Sequence, residues 1–101
     1  MGSTYKLIWS DEALENLKGI IKYLEKNWTN REIKKFARLL DRNLNLIKDN
    51  PEIFPKSGHP DNYRRAVISK QVSIYYKVER QKVHVISVFD NRQNPNRLKK
   101  N

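Results

Sequence analysis

The residues best suited to chemistry in this sequence are basic and aromatic, and they concentrate in its second half. They are Lys56, Tyr63, Arg64, Arg65, Tyr75, Tyr76, Lys77 and Arg92. Arginine binds phosphate or carboxylate through paired N–H donors, while tyrosine rings stack on bases or donate a hydroxyl. Such a set could bind RNA, or stabilise the charged transition state of RNA cleavage. Tyrosine and lysine are also ordinary residues of exposed strands, so composition alone leaves a purely structural interpretation open.

Other kinds of active site lack their usual residues. The chain has no cysteine, which excludes a thiol nucleophile and a thiolate metal site. His59 and His84 are the two histidines, and neither has a second ligand at a spacing that suits a metal. We interpret His84, between Val83 and Val85, as a structural strand residue, and His59 as a loop residue. There is no P-loop, dinucleotide fingerprint or nucleophile elbow, so we expect neither a metal nor a cofactor.

The charge of the chain is large and unevenly distributed. Its 101 residues include 21 Lys and Arg against 11 Asp and Glu, a formal net charge of +10. Residues 1–62 carry +2 and residues 63–101 carry +8, which favours a polyanionic partner such as nucleic acid, a membrane surface or an acidic polypeptide. No apolar run approaches the ~20 residues of a membrane span, and the first residues lack a signal-peptide pattern. We therefore expect a cytoplasmic protein without membrane contact, in which residues 1–3 resemble a cloning remnant.

Two amphipathic helices are predicted after a first strand at residues 4–9. Ser10 is suited to capping the first helix, and apolar residues recur every three or four positions up to Trp28. Gly19 lowers the stability of this helix by ~1 kcal/mol and would allow another element to approach closely. The run from Thr29 to Glu32 matches a capping box, and Pro51 ends the second helix. The short connection between the helices predicts an antiparallel helix hairpin.

Three strand-like runs follow an irregular connection at residues 51–62. They cover Tyr63–Lys70, Val72–Glu79 and Lys82–Phe89, and short polar turns between them predict antiparallel hairpins. The fold class is therefore α+β, in the order β-α-α-β-β-β. We expect an antiparallel sheet of the N-terminal strand and the three C-terminal strands, with the helix hairpin on one face. One domain would span residues 4–98, followed by a basic tail at 99–101.

Several sequence motifs, and their order along the chain, resemble the RelE/ParE superfamily of bacterial type II toxin–antitoxin toxins. The run Tyr5–Ala13 is similar to the family's first strand and its "s-x-x-A" helix start, and Asn50–Pro55 is similar to the turn after its helices. Tyr63–Val67 with Val72–Val78 resembles a family strand pair, and Val85–Pro95 resembles the closing "v-x-v-x-R-x-x-P". The resemblance spans roughly residues 4–98 and rests on the order and spacing of these motifs together.

The resemblance implies a growth-inhibiting toxin, of the kind linked to plasmid stabilisation, that a cognate antitoxin neutralises. RelE-like members cut mRNA on the ribosome, whereas ParE-like members inhibit DNA gyrase and are not themselves nucleases. Arg92 matches the family's late arginine, but Gln93, Asn94 and Pro95 follow it where some nucleases have His and Tyr. A missing acid or base costs a nuclease about 10²–10⁴-fold in rate. The ending therefore favours the ParE-like subgroup and a gyrase inhibitor that is not an enzyme.

The resemblance also names site residues and a partner. A nuclease would use Arg65, Arg92, Tyr75 and Tyr76, whereas binding of a target or its phosphates would use Arg64, Arg65, Lys77 and Arg92. The antitoxin would lay an acidic, amphipathic C-terminal segment across the toxin, in a hetero-oligomer, as a groove-bound helix or an added edge strand. The alternatives are a RelE-like mRNA endoribonuclease and an inactive relative that only binds nucleic acid.

Overall fold

The computed structural model describes residues 5–56 and 63–91 and contains the predicted order of elements. The strands are β1 (Lys6–Trp9), β2 (Arg64–Val67), β3 (Val72–Glu79) and β4 (Lys82–Asp90). The helices are α1 (Asp11–Asn27) and α2 (Asn30–Asp49), and a short 3₁₀ turn (Pro51–Ile53) follows them. The predicted α+β class and element order are confirmed. The predictions for residues 1–4, His59, Arg92 and the basic tail lie outside the described residues.

The four strands form one sheet in the order β1-β4-β3-β2. The pairs β2–β3 and β3–β4 are antiparallel, as the short turns between them predict. The pair β1–β4 is parallel, with Lys6 opposite Lys82 and Trp9 opposite Val85, so the prediction of a wholly antiparallel sheet is wrong in this detail. The physical reason is that no hairpin joins β1 to its partner, and a long helical crossover permits a parallel pair.

Both helices begin at the capping residues that the sequence predicts. The Ser10 hydroxyl accepts a hydrogen bond from the Ala13 amide at 2.9 Å. At the start of α2 the Glu32 amide donates to the Thr29 hydroxyl at 3.2 Å, and the Thr29 amide donates to the Glu32 carboxylate at 3.0 Å. These bonds satisfy amide groups that have no partner inside a helix, and each cap stabilises its helix by about 1 kcal/mol.

The two helices cover one face of the sheet, which we call the covered face. Apolar side chains of α1 and α2 form one core with side chains of all three C-terminal strands. Burying each large side chain there contributes about 1.5–3 kcal/mol. The largest buried side chains of this core are Leu24, Ile47, Ile74 and Tyr76. In β3 the predicted core face is confirmed, since Val72, Ile74 and Tyr76 belong to this core and Val78 packs against it. Ser73, on the other face, is also buried.

A β-bulge in β4 changes which of its side chains face the core. Tyr75 lies opposite Ser87, but Tyr76 lies opposite Val85, so Ile86 has no partner in β3. Val83 and Val85 face the core before this extra residue, and Val88 faces it afterwards. The bulge therefore turns Ser87 away from the helices.

The start of α1 holds this bulge in place. The Ser10 hydroxyl donates to the Ile86 carbonyl at 2.9 Å, and the Val88 amide donates to the Asn16 side-chain oxygen at 3.1 Å. These two bonds satisfy backbone groups of β4 beyond the end of β1, where no strand remains to pair with them.

Gly19 lies on the exposed side of α1. A Cβ built at this position would meet no atom within 4 Å, so the expected close approach by another element does not occur within the described chain. Across the described residues, neither helix has the length and apolar composition needed to cross a membrane.

Candidate target-binding face

The sheet face that the helices leave uncovered, here called the open face, brings together three of the predicted site residues. Arg65 in β2 lies opposite Tyr75 in β3, and Tyr75 lies opposite Ser87 in β4. Lys77 follows Tyr75 on the same face, about 7 Å along the strand. Side chains directly opposite each other in neighbouring strands have Cβ atoms about 5 Å apart. Arg65 is exposed and Tyr75 and Lys77 are half-buried, so all three are available to a partner.

Arg64 and Tyr76, which the sequence analysis grouped with those residues, lie on the covered face instead. Tyr76 is fully buried, and its hydroxyl donates to the Pro51 carbonyl at 2.6 Å. The Arg64 guanidinium donates to the Phe54 carbonyl at 2.6 Å. Because strand residues alternate between faces, each of these residues lies on the opposite side from its sequence neighbour. Both side chains therefore hold the turn at residues 51–54 against the sheet.

The environment of Tyr76 keeps its hydroxyl protonated. Burial raises its pKa to about 12, while the positive charge of nearby Arg64 acts in the opposite direction. A phenol that is neutral, buried and already bonded is poorly placed to act as an acid or base on an external substrate.

His84 is a functional candidate that the sequence analysis missed. It lies opposite Lys77 on the open face, and its Nε2 atom is 3.5 Å from a carboxylate oxygen of Glu79. The residue was interpreted as structural because it stands between two valines. The turn between β3 and β4 is the better guide to the position of His84. A hairpin with Arg80 and Gln81 at its tip fixes the register of the two strands and places His84 opposite Lys77.

The open face therefore carries cationic, aromatic and imidazole groups at neighbouring positions of three adjacent strands. Such a surface binds polyanions or acidic protein segments, and its histidine could exchange protons. Within residues 5–56 and 63–91, no three His, Asp or Glu side chains are close enough together to hold a metal ion.

The sequence of the chain matches one protein family over most of its length. A family model described as "ParE toxin of type II toxin-antitoxin system, parDE" matches residues 7–95. The chain belongs to the ParE toxin family. It is thus a toxin of a type II toxin–antitoxin system, and the resemblance to the RelE/ParE superfamily is confirmed. No curated protein sequence matches the chain significantly.

Solved structures of similar toxins share the fold of this ParE family member. A chain from the "chromosomal ParDE TA system" of P. aeruginosa has a TM-score of 0.71 at 13% identity, covering 86% of this chain and 96% of that one. A "YoeB/ParE toxin" from Agrobacterium tumefaciens has a TM-score of 0.59 at 14% identity, covering 84% and 96%. A chain of the E. coli DinJ-YafQ toxin–antitoxin complex has a TM-score of 0.51 at 15% identity, covering 88% and 94%.

Proposed function

We propose that this ParE family toxin inhibits DNA gyrase by binding to it, without catalysing a reaction of its own. The observation that carries the proposal is the family match over residues 7–95. The chain's Arg-x-x-Pro ending, which lacks the His and Tyr of some nuclease relatives, points the same way. A gyrase inhibitor acts where gyrase does, so the proposal places this protein in the bacterial cytoplasm.

The open face is the surface that we assign to gyrase. Arg65 and Lys77 project two positive charges from neighbouring strands, and Tyr75 lies between them as an aromatic anchor. Arginine and tyrosine dominate the binding energy of many protein interfaces. Arg92 is proposed as a further contact because it matches the family's late arginine. Arg64 is left out of the contact surface because its guanidinium is bonded to the Phe54 carbonyl.

A supercoiling assay tests this proposal directly. The purified full-length chain is added to gyrase and relaxed plasmid, and we expect loss of supercoiling together with accumulation of cleaved DNA bound to gyrase. Arg65→Ala should raise the concentration needed for inhibition about tenfold, since truncated hot-spot residues often cost more than 1 kcal/mol. Arg31→Ala, at an exposed position of α2, removes the same charge elsewhere and should change little. Normal supercoiling at a saturating toxin concentration would exclude gyrase as the target.

A cognate antitoxin is the second proposed partner. Two of the similar structures belong to a ParDE toxin–antitoxin system and a DinJ-YafQ toxin–antitoxin complex. On this chain, α1 exposes Leu14 and Ile21 on one stripe, with Lys22 beside them and Lys18 at 3.7 Å from the Glu15 carboxylate. An apolar stripe with an exposed lysine at its side fits the amphipathic, acidic segment expected of an antitoxin.

Co-expression with the protein encoded by the neighbouring reading frame tests the antitoxin proposal. We expect a stable complex that restores growth, and we expect Ile21→Glu to weaken it at least tenfold. Ile53→Glu makes the same change at another exposed apolar residue and serves as the control. Equal effects of the two substitutions, or no complex at all, would contradict docking on α1.

An mRNA endoribonuclease is the second candidate function, and His84 is the observation that favours it. His84 lies opposite Lys77 and beside Glu79, which supplies an imidazole to a face that also holds Arg65 and Tyr75. In this alternative the two cations bind phosphates while His84 moves the proton.

Transcript mapping after brief induction separates the two functions. A nuclease would create new 5′ ends within codons, and His84→Gln would abolish them while leaving the fold intact. Intact transcripts together with continued translation would exclude this alternative.

A further inference from the structure

A trough crosses the open face beside the cationic residues. It is a cavity of about 380 Å³, and its lining includes Glu12, Asn16, Tyr63, Tyr75, Ser87 and Phe89. Tyr75 and Ser87 pair across β3 and β4, so they form the middle of the floor. Glu12 and Asn16 come from the first turns of α1, which lies along the edge of β4 beyond the end of β1. The trough therefore has an acidic end and an aromatic middle.

The size and lining of the trough suit a small flat ligand. Ligand cavities in proteins typically begin at about 300 Å³ and combine aromatic walls with a few polar groups. Here three aromatic rings, from Tyr63, Tyr75 and Phe89, supply the apolar surface. The polar groups include the carboxylate of Glu12, the side-chain amide of Asn16 and the hydroxyl of Ser87.

The immediate surroundings of the trough are positively charged. Arg65 lies opposite Tyr75 in β2, and Lys77 lies two residues beyond Tyr75 on the same face. The positions of both residues in the sheet are therefore about 5–7 Å from that of Tyr75, as measured between Cβ atoms across the strands and along the strand. A ligand with a flat ring in the trough and an anionic group on either side would meet both charges.

We propose that this trough binds one base of a single-stranded nucleic acid, with guanine preferred. Base stacking on aromatic side chains with phosphates held by nearby cations is the general mode of single-strand recognition. The Watson–Crick edge of guanine offers two adjacent N–H donors, and a carboxylate accepts both at once. Adenine and uracil offer no such donor pair, so Glu12 selects guanine.

The chemistry of the trough disfavours two other occupants. An acidic peptide would bring its carboxylates against Glu12, which makes no ion pair with another described residue. A base inside a duplex has its Watson–Crick edge already paired and its faces stacked, so it cannot enter without being flipped out.

The trough is held in its shape by bonds already present in the free chain. Asn16 accepts a hydrogen bond from the Val88 amide, and Ser10 donates to the Ile86 carbonyl, which fixes α1 against the bulged part of β4. The first turns of α1, which carry Glu12 at the side of the trough, are thereby fixed to β4 by the side chains of residues on either side of Glu12. A preformed site loses less entropy when its ligand binds.

Fluorescence anisotropy with labelled hexanucleotides tests the proposal. The probes are runs of uridine in the RNA series and of thymidine in the DNA series, each with a single central guanine, adenine or cytosine. They are titrated with the purified chain. We expect the guanine probe to bind at least fivefold more tightly than the adenine probe. Comparison of the RNA and DNA series shows which nucleic acid is preferred.

Two substitutions that each remove one negative charge distinguish recognition of the base from a general electrostatic effect. Glu12→Gln should abolish the guanine preference while leaving the affinity for plain uridine equal or higher, because a negative charge has been removed. Glu15→Gln, on an exposed part of the same helix, should raise all affinities alike and keep the preference. Loss of the preference in both variants, or in neither, would overturn the role of Glu12.

A second pair of variants tests the aromatic floor. Tyr75→Leu should weaken every probe about tenfold, while Tyr75→Phe keeps the ring and should retain the affinity. Thermal unfolding of both variants checks that they fold. If the wild-type chain binds all hexanucleotides equally, or binds hexaglutamate more tightly than any of them, the proposal is wrong.

The proposal that the trough binds a base and the proposal that the protein inhibits gyrase can be refuted separately. A chain that inhibits gyrase but shows no base preference would contradict the trough alone. Guanine-selective binding without any effect on gyrase would leave the trough in place and redirect the search for the target toward RNA.

Discussion

The two faces of β2 and β3 carry the same pair of side chains, an arginine opposite a tyrosine. On the covered face Arg64 lies opposite Tyr76, and on the open face Arg65 lies opposite Tyr75. The first pair is bonded to the carbonyls of Phe54 and Pro51, whereas the second faces outward. The residue types alone therefore do not define a binding site. What decides their role is which face of the sheet they occupy.

The largest difference between the two pairs should appear in stability. Tyr76→Ala should lower the free energy of unfolding by about 3–5 kcal/mol, because it leaves a cavity and removes the donor to the Pro51 carbonyl. Tyr75→Ala should cost less, about 1 kcal/mol, since its side chain is only partly buried and lies outside the core between the helices and the sheet. Urea unfolding measures both, and equal losses would contradict the contrast between the faces.

The second difference between the two pairs concerns how the stability of the chain depends on pH. Burial raises the pKa of Tyr76 to about 12 from its ordinary value of 10.0, so the folded state holds this proton more tightly than the unfolded state. The resulting stabilisation is complete below pH 10 and is lost as the pH rises through 12, by about 3 kcal/mol in total. Urea unfolding between pH 9 and 12 should show this loss in the wild-type chain. Tyr76→Phe should show a smaller loss over the same range, and identical slopes would contradict the assignment.

Substitution of the two arginines should produce a smaller difference in the free energy of unfolding. Arg64→Ala removes a charged donor from the Phe54 carbonyl and should destabilise the chain by about 1.5 kcal/mol. Arg65→Ala should change stability by no more than about 0.5 kcal/mol while reducing target inhibition. Thermal unfolding alongside the supercoiling assay would reveal both effects, and an unstable Arg65→Ala variant would remove the distinction.

The last expected effect concerns Asn16, which holds the bulge in β4. This bulge determines which β4 side chains lie on each face of the sheet. Asn16→Ala leaves the Val88 amide without its acceptor and should cost about 1 kcal/mol. Hydrogen exchange at Val88 should become faster in this variant. Asn45→Ala, at an exposed position in α2, is the matched control and should leave that exchange rate unchanged.

Local features of the fold were predictable because local sequence determines them. The cap at Ser10 and the capping box at Thr29 mark the helix starts, and the alternation in β3 assigns its core face. The pairing of β1 was not predictable, because a strand without a hairpin carries no signal for its partner. The bulge at Ile86 left only a weak trace, the break in the apolar alternation between Val85 and Val88.

The composition of the candidate site was easier to predict than its geometry. Arg65, Tyr75 and Lys77 were named from residue type, but so were Arg64 and Tyr76, which lie on the other face. Alternation alone separates neighbours within each strand. Deciding which member of each pair faces the helices requires the register across two turns, and this is a tertiary property.

The order of strands in the sheet has a consequence for how the chain folds during synthesis. β4 lies between β1 and β3, although it is the last strand to be made. Because β1 must pair with β4, its hydrogen bonds cannot form until β4 has been translated. Pairing between such distant segments is slow to form, and domains generally fold as units when their last element arrives. During synthesis both helices are therefore complete before β1 has its partner strand, so they are exposed to other proteins during that interval.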